Sequence, residues 1–250
     1  MRGPLVTSYT DYLSQLAALL GDPVYRGTNV TKGKGQAVLL IPGFLAGDWS
    51  LLRMSGWLDR LGYRTYFAGI NWNVDCPNAT AKKLQWRLEQ LTTESVGPVA
   101  VIGHSLGGLL ARFLGANFPA QVRHIIALGS PLDINSSDQV HPMVQAAFHL
   151  LAPLRARGNP AFRSCGRPTC TCHFAKTAFA PLPSSVGLTS IFSKQDEVVD
   201  WQASMDPNGD NIVVSGGHLG LIVNREVYRA VAETLGNRLA GASAQAATTP

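Results

Sequence analysis

The sequence predicts an α/β fold in which a mostly parallel sheet is flanked by helices. Short apolar runs typical of buried strands alternate along the chain with segments of helical periodicity. Apolar residues make up 46% of the 250 residues and charged residues only 15%, a composition typical of a globular protein. Because a chain of this length can bury one large core, we expect a single domain over residues 1–250.

The first strand is expected at residues 37–44, where the run AVLLIPGF ends in Pro-Gly-Phe. A helix should follow, with Asp48 as its N-cap and Gly62 as its stop. The later elements are predicted in this order: strand 63–70, helix 80–94, strand 98–103, helix 108–118, strands 122–131, 188–199 and 211–223, and a closing helix at 224–239.

The alternation stops between residues 132 and 185. This stretch contains the apolar segment HPMVQAAFHLLAPLRAR and a passage rich in Gly, Pro and Cys. A structureless loop of this length is unusual in a compact domain, so we expect an inserted helical cap or lid, with an ordinary extra helix on the core as the alternative. The composition of residues 241–250 predicts a disordered tail.

The charge pattern limits the partners. Lys and Arg exceed Asp and Glu by 21 to 16, but the arginines are scattered rather than gathered in a stripe, so no nucleic-acid partner is expected. No apolar run approaches the roughly 18 to 20 residues that cross a bilayer. The N-terminus lacks the unbroken apolar region of a signal peptide, so we expect a cytoplasmic protein without a transmembrane segment, and its oligomeric state stays open.

A candidate nucleophile lies between a predicted strand and a predicted helix. The residues Gly103-His104-Ser105-Leu106-Gly107 match the pattern G-x-S-x-G. Such a sharp turn strains the serine backbone, and the flanking glycines leave room for the strand and the helix to approach. A plain strand-to-helix turn is the alternative, but two partner residues follow downstream in the expected order.

The proton acceptor and its carboxylate are expected near the C-terminus. Of the six histidines, His218 follows the last predicted strand behind two glycines, at the sheet edge where α/β proteins bind ligands. The run IFSKQDEVVD offers Asp196 where the strand ends, with Asp200 as second choice and Glu197 expected to face solvent. The order Ser105, Asp196, His218 is that of a serine triad on this kind of sheet.

The backbone N–H of Leu106, directly after the serine, is the first candidate donor to an oxyanion. The second is the N–H of Phe44, in the turn IPGFLAG after the first strand.

The stretches LLIPGF, GHSLGGLLAR, SKQDEVV and GGHLGL resemble the α/β-hydrolase superfamily, within its lipase and esterase branch. The resemblance extends from about residue 37 to the closing helix. It implies a Ser/His/acid triad, no cofactor and a cap between the later strands. Many relatives carry His-Gly where this chain has Pro42-Gly43.

We therefore expect a serine hydrolase that cleaves a small-molecule or lipid ester through an acyl-enzyme. The neutral, apolar insert favours an acyl group that is mainly hydrocarbon. An acyltransferase or thioesterase with the same triad is the alternative, followed by a non-catalytic binding protein on the same fold.

The four cysteines predict a structural role. Cys165, Cys170 and Cys172 precede His173 in a spacing that is not a standard zinc finger. A structural zinc ion and a disulfide, with Cys76 as a distant partner, are both consistent with the sequence, and a set of free thiols is the remaining alternative.

Overall fold

A six-stranded parallel sheet forms the centre of the protein, in a computed structural model that describes residues 7–95, 97–133, 140–151 and 172–240. The strand order is β2-β1-β3-β4-β5-β6, and every neighbouring pair is parallel. The strands are β1 Ala37–Ile41, β2 Arg64–Phe67, β3 Val99–His104, β4 Val122–Leu128, β5 Gly187–Ser193 and β6 Asp210–Val214. The α-helices are α1 Thr7–Gly21, α2 Leu52–Arg60, α3 Pro77–Glu94, α4 Leu106–Asn117, α5 Pro142–Leu150, α6 His173–Thr177 and α7 Arg225–Ala240.

The predicted α/β class is confirmed, and each of the six predicted strands is present. The strands expected at 188–199 and 211–223 are shorter, because the chain leaves the sheet at Ser193 and Val214. The residues that follow each of these two ends form loops at the carboxyl edge of the sheet. Asp196 and His218 lie on these two loops, as the sequence predicts for both residues.

Both faces of the four central strands β1, β3, β4 and β5 are buried, as is usual in a parallel sheet, whereas the edge strands β2 and β6 are partly exposed. In β1, Val38 and Leu40 pack against α1, α2 and α7 on one face. Leu39 and Ile41 pack against α3 and α4 on the other face. The protein therefore has three layers, with helices on both sides of the sheet.

The predicted N-cap role of Asp48 is wrong. A 3-10 turn at Asp48–Leu51 precedes α2, and the Asp48 side chain makes no cap hydrogen bond there. Asp48 Oδ2 instead accepts hydrogen bonds from Gly69 N (2.8 Å) and Ile70 N (3.0 Å), just beyond β2. Gly62 follows α2 with a φ of 92°, the left-handed conformation expected of a helix stop.

The predicted insertion at 132–185 is described only in part. Its described residues include α5 and α6, and no residue of α5 is buried. Val144 of α5 packs partly buried against Val198 and Val199. Residues 134–139 and 152–171, and the predicted tail at 241–250, lie outside the described residues, so a cap and a disordered tail stay predictions. Within the described part of the chain, no helix combines the length and apolar character needed to cross a bilayer.

Candidate active site

Ser105 occupies the sharp turn between β3 and α4. Its φ of 54° is rare for a residue with a side chain, and its N–H donates a hydrogen bond to Leu128 O at 2.8 Å. A side chain at Gly103 would overlap the Gly107 carbonyl, and one at Gly107 would overlap the carbonyl of Ile41. The steric role predicted for the two glycines is therefore confirmed.

His218 and Asp196 form a buried pair at the carboxyl edge of the sheet. His218 Nδ1 lies 2.7 Å from Asp196 Oδ2, and the residues are 4% and 9% exposed. Asp196 Oδ1 accepts hydrogen bonds from the backbone N–H of Val198 and Val199, both at 2.8 Å. Because a carboxylate only accepts, Nδ1 of His218 is the donor, and in the neutral ring Nε2 is the acceptor.

Burial and neighbouring charges act in opposite directions on His218. Desolvation lowers the pKa of His218, but the charge and hydrogen bond of Asp196 and the charge of Glu197 raise it more. The net result is a pKa above the ordinary value of 6.5. The site therefore stabilises a positive charge on this imidazole.

Three loops meet around Ser105. His104, the residue before it, has its Nε2 atom 3.1 Å from the backbone O of His218, and the two imidazole rings lie 4.8 Å apart. The turn after β1 also approaches this point, since a methyl group at Gly43 would lie 3.1 Å from both Ser105 Cβ and His104 Nδ1. The end of β1, the β3–α4 turn and the His218 loop thus converge at one edge of the sheet.

The two candidate oxyanion donors, the N–H groups of Leu106 and Phe44, belong to the two turns that meet at Ser105. Leu106 is the first residue of α4, where backbone N–H groups lack acceptors within the helix. Phe44 follows Gly43 in the chain, and its ring lies 5.2 Å from the ring of Phe148 on α5. Their role as oxyanion donors stays a prediction.

The environment predicted for Glu197 is wrong. This side chain is only 6% exposed, and its Oε2 accepts a hydrogen bond from His218 N at 3.2 Å. In the sequence, the burial of Glu197 is indicated only by the apolar pair Val198-Val199 that follows it. Asp200, the second choice for the carboxylate, caps the 3-10 turn Trp201–Ser204 and accepts from Gln202 N at 3.0 Å.

The N-terminal helix α1 reaches the loop that carries His218. Asp11 Oδ2 accepts a hydrogen bond from Gly217 N at 2.8 Å, across 206 positions of the chain. Gln15, one turn later, accepts a hydrogen bond from Asn224 Nδ2 at 3.1 Å. Nothing in the local sequence around Asp11 indicates this contact, because it depends on how α1 packs.

Other histidines have structural partners. The buried ring of His124 shares a hydrogen bond with Thr189 Oγ1 at 2.9 Å. His141 caps α5 by accepting from Met143 N at 3.2 Å.

The predicted zinc or disulfide cluster is only partly described. His173 Nε2 lies 3.0 Å from Asn117 Oδ1, and Cys172 Sγ accepts from the N–H of Ala175 at 3.4 Å. No three or more His, Cys, Asp or Glu side chains of the described residues are placed to hold a metal ion. Cys165 and Cys170 lie outside the described residues.

Cys76, directly before α3, is disulfide-bonded. Disulfides persist mainly in oxidising compartments, so this bond does not support the cytoplasmic location expected from the sequence.

Comparison with solved structures identifies the fold. A monoacylglycerol lipase from Paleococcus ferrophilus superposes with a TM-score of 0.54 at 14% identity, over 83% of this chain and 97% of that one. An alpha/beta superfamily hydrolase from Oenococcus oeni gives 0.59 at 15% identity, over 83% and 94%. A thermophilic esterase from Thermogutta terrifontis gives 0.55 at 16% identity, over 82% and 91%. The chain has the α/β-hydrolase fold.

Similarity to known sequences covers a smaller part of the chain than the structural similarity. No family model matches the chain. A bis(hydroxyethyl) terephthalate hydrolase from Streptomyces coelicolor is 28% identical over 116 residues. The matched segment is 43% of this chain and only 37% of that protein.

Proposed function

We propose that the protein is a serine hydrolase that cleaves carboxylic esters with a mainly apolar acyl group. One observation carries the proposal: the buried 2.7 Å hydrogen bond between His218 and Asp196 lies at the same sheet edge as the strained Ser105, which directly follows β3. A serine hydroxyl is a weak nucleophile until a base removes its proton. His218 is the base, and Asp196 holds it in the required tautomer.

In the first half of the reaction, His218 Nε2 takes the proton of Ser105 Oγ while Oγ attacks the carbonyl carbon of the ester. The carbonyl oxygen becomes an oxyanion, and the imidazolium is stabilised by Asp196. The N–H groups of Leu106 and Phe44 donate to the oxyanion, as does the positive end of the α4 dipole. His218 then returns the proton to the departing alcohol oxygen, leaving an acyl-enzyme.

In the second half, a water molecule replaces the alcohol. His218 removes one proton from the water as its oxygen attacks the acyl carbon, and then gives that proton back to Ser105 Oγ. The carboxylic acid leaves and the enzyme is restored. Every step uses groups of this chain and water.

The surroundings of the site support an apolar acyl group. The rings of Phe44 and Phe148 pack together beside the serine turn, and Leu45 and Met143 are exposed apolar residues on the same two elements. Esters also fit the named activities of proteins similar to this chain, among them a lipase, an esterase and a terephthalate ester hydrolase.

Labelling with a fluorophosphonate tests the nucleophile. We expect the probe to label the wild-type protein and Ser95→Ala, which changes a serine at the end of α3, but not Ser105→Ala. Turnover of p-nitrophenyl esters of increasing chain length should fall at least about 10,000-fold in Ser105→Ala. Labelling that persists in Ser105→Ala would overturn the assignment of the nucleophile.

Two further outcomes separate the alternatives. The first is measured with an added alcohol or amine as acyl acceptor. If the transfer product exceeds the free acid, and their ratio rises with the acceptor concentration, the enzyme is an acyltransferase. If no ester, thioester or amide is turned over, the proposed function is wrong and a binding role on this fold replaces it.

A further inference from the structure

Three consecutive backbone amides of the loop that carries His218 each donate a hydrogen bond to a different side chain. The acceptors come from α1 and from the loop after β5, and two of them are carboxylates. The bonds are Gly216 N to Gln195 Oε1 (2.8 Å), Gly217 N to Asp11 Oδ2 (2.8 Å) and His218 N to Glu197 Oε2 (3.2 Å). Hydrogen bonds to ionised acceptors are roughly twice as strong as neutral ones, so this loop is held firmly.

We propose, resting on the serine hydrolase function above, that Asp11 and Glu197 are positioning residues that hold the backbone of residues 216–218 and thereby the His218 imidazole. Glu197 also acts on His218 through its charge. Neither side chain touches the reacting atoms in this proposal. Both act through His218.

The glycines of the loop fit this arrangement. A methyl group at Gly217 would lie 2.7 Å from Glu197 Oε2 and 3.3 Å from Asp11 Oδ2. A methyl group at Gly220 would overlap Asp11 Oδ2. The two carboxylates therefore reach the backbone only because the loop has the sequence Gly-Gly-His-Leu-Gly.

Helix α1 holds the loop at a second point. Gln15 Nε2 donates to Asp11 Oδ1 at 3.4 Å, and Gln15 Oε1 accepts from the buried Asn224 Nδ2 at 3.1 Å. Asn224 Nδ2 also donates to Ser215 O at 2.7 Å. One turn of α1 thus contacts the loop at Gly217 and, through Asn224, at the residue where the loop begins.

The charges around His218 give Glu197 a separate effect. Four titratable groups of the described residues face His218 or its backbone: Asp196 through Nδ1, Glu197 through the backbone N, the ring of His104, and Asp11 through Gly217. Burial lowers the pKa of His104 to about 3, so His104 is neutral during turnover. Because Glu197 is buried, its charge is weakly screened and helps to raise the pKa of His218.

The pH profile of Glu197→Gln tests the effect of charge, because glutamine keeps an oxygen that can accept from His218 N. We expect the acid limb of kcat/KM for a p-nitrophenyl ester to move to lower pH, with kcat on the alkaline plateau close to that of wild type. Glu94→Gln is the matched control. It removes an exposed carboxylate at the end of α3, at the sheet edge opposite to the site, and its profile should match wild type.

Two substitutions of Asp11 test the hydrogen bond. In Asp11→Ala the Gly217 amide loses its acceptor, and we expect kcat to fall about 10- to 100-fold with little change in KM, because the base is misplaced while substrate binding is kept. Asp11→Asn retains an acceptor oxygen and should restore most of kcat. Thermal unfolding shows whether Asp11→Ala folds. If it does not, the positioning role is tested by kcat of Asp11→Asn and the pH profile of Glu197→Gln, each compared with wild type.

The outcomes distinguish this inference from the function on which it rests. If fluorophosphonate does not label Ser105 in the wild-type protein, the proposed function is wrong. If Ser105 is labelled but the acid limb of Glu197→Gln coincides with wild type and Asp11→Ala keeps its kcat, the positioning role is overturned and the function stands. Equal losses in Asp11→Ala and Asp11→Asn would also overturn it, because the acceptor oxygen would then not be the cause.

Discussion

His104 Nε2 donates a hydrogen bond to the backbone oxygen of His218 at 3.1 Å, so the residue before the proposed nucleophile supports the loop of the proposed base. Both imidazoles are buried, but their pKa values shift in opposite directions. Burial and the charge of its neighbour lower the pKa of His104 to about 3, whereas carboxylates raise that of His218. Only His218 therefore has a pKa above the ordinary histidine value of 6.5.

This difference predicts a simple pH dependence for the wild-type protein. His218 accepts a proton only when neutral, and a raised pKa means that its protonated form persists to higher pH. We expect kcat/KM to rise with pH as one group loses one proton, with an inflection above the ordinary histidine value of 6.5. Steady-state rates on a p-nitrophenyl ester measure the profile. An inflection below that value, or a slope of two protons, would contradict the environment described for these rings.

Asn73 holds the loop that carries the proposed donor Phe44. Its Nδ2 donates to Pro42 O at 2.8 Å, and its backbone N donates to Ala46 O at 2.7 Å. Within this loop Leu45 has a φ of 62°, a strained conformation that persists only when neighbouring groups hold it. Asn73 therefore binds the loop on both sides of the strained residue.

We predict that Asn73→Ala lowers kcat about tenfold, with a smaller change in KM, because the Phe44 amide loses its fixed direction. The loss should be smaller than the roughly 100- to 1,000-fold effect of removing an oxyanion donor itself. Ester kinetics measure the effect, with Asn71→Ala, an exposed asparagine two residues earlier, as the control. Equal kcat values in the two variants would show that the loop keeps its geometry without the Asn73 side chain.

The turn at Ser105 could be predicted because its constraints are local. A strand, a sharp turn and a helix follow each other within a few residues, and the glycines on each side of Ser105 are required by contacts that the motif itself creates. The strands were predictable for a similar reason, since an apolar run such as Ala37–Ile41 is buried on both faces wherever it lies in a parallel sheet.

The supports of the site could not be predicted in this way. Asp11 lies on a helix whose sequence gives no sign that one carboxylate binds an amide near the opposite end of the chain. Glu197 is a charged residue in a loop, where side chains of this type are usually exposed. It is buried only because the His218 loop packs against it. Asp48 looks like a helix cap, but two amides beyond β2 compete successfully for its carboxylate.

Asp22 links the end of α1 to the last helix. Its Oδ1 accepts from Val24 N at 3.0 Å, and its Oδ2 accepts from Arg229 of α7 at 2.5 Å. The side chain is buried, and burial raises its pKa. The amide of Val24 and the charges of Arg229 and Arg225 lower the pKa more, to a net value below the ordinary 3.8.

We predict that Asp22→Ala lowers the free energy of unfolding at pH 7 by about 1–3 kcal/mol, because a buried amide and a guanidinium lose their acceptor. The exposed pair Lys83–Asp75, at 2.7 Å, is the control, and Asp75→Ala should cost less than about 1 kcal/mol. A carboxylate with a lowered pKa in the folded state adds stability that is fully present above its unfolded pKa of 3.8. This stability is lost as the pH falls through the folded pKa. The difference in free energy of unfolding between wild type and Asp22→Ala should therefore narrow below about pH 4. Urea unfolding at pH 7 and in acid measures both effects, and a difference that stays constant into acid would contradict a charged role for Asp22.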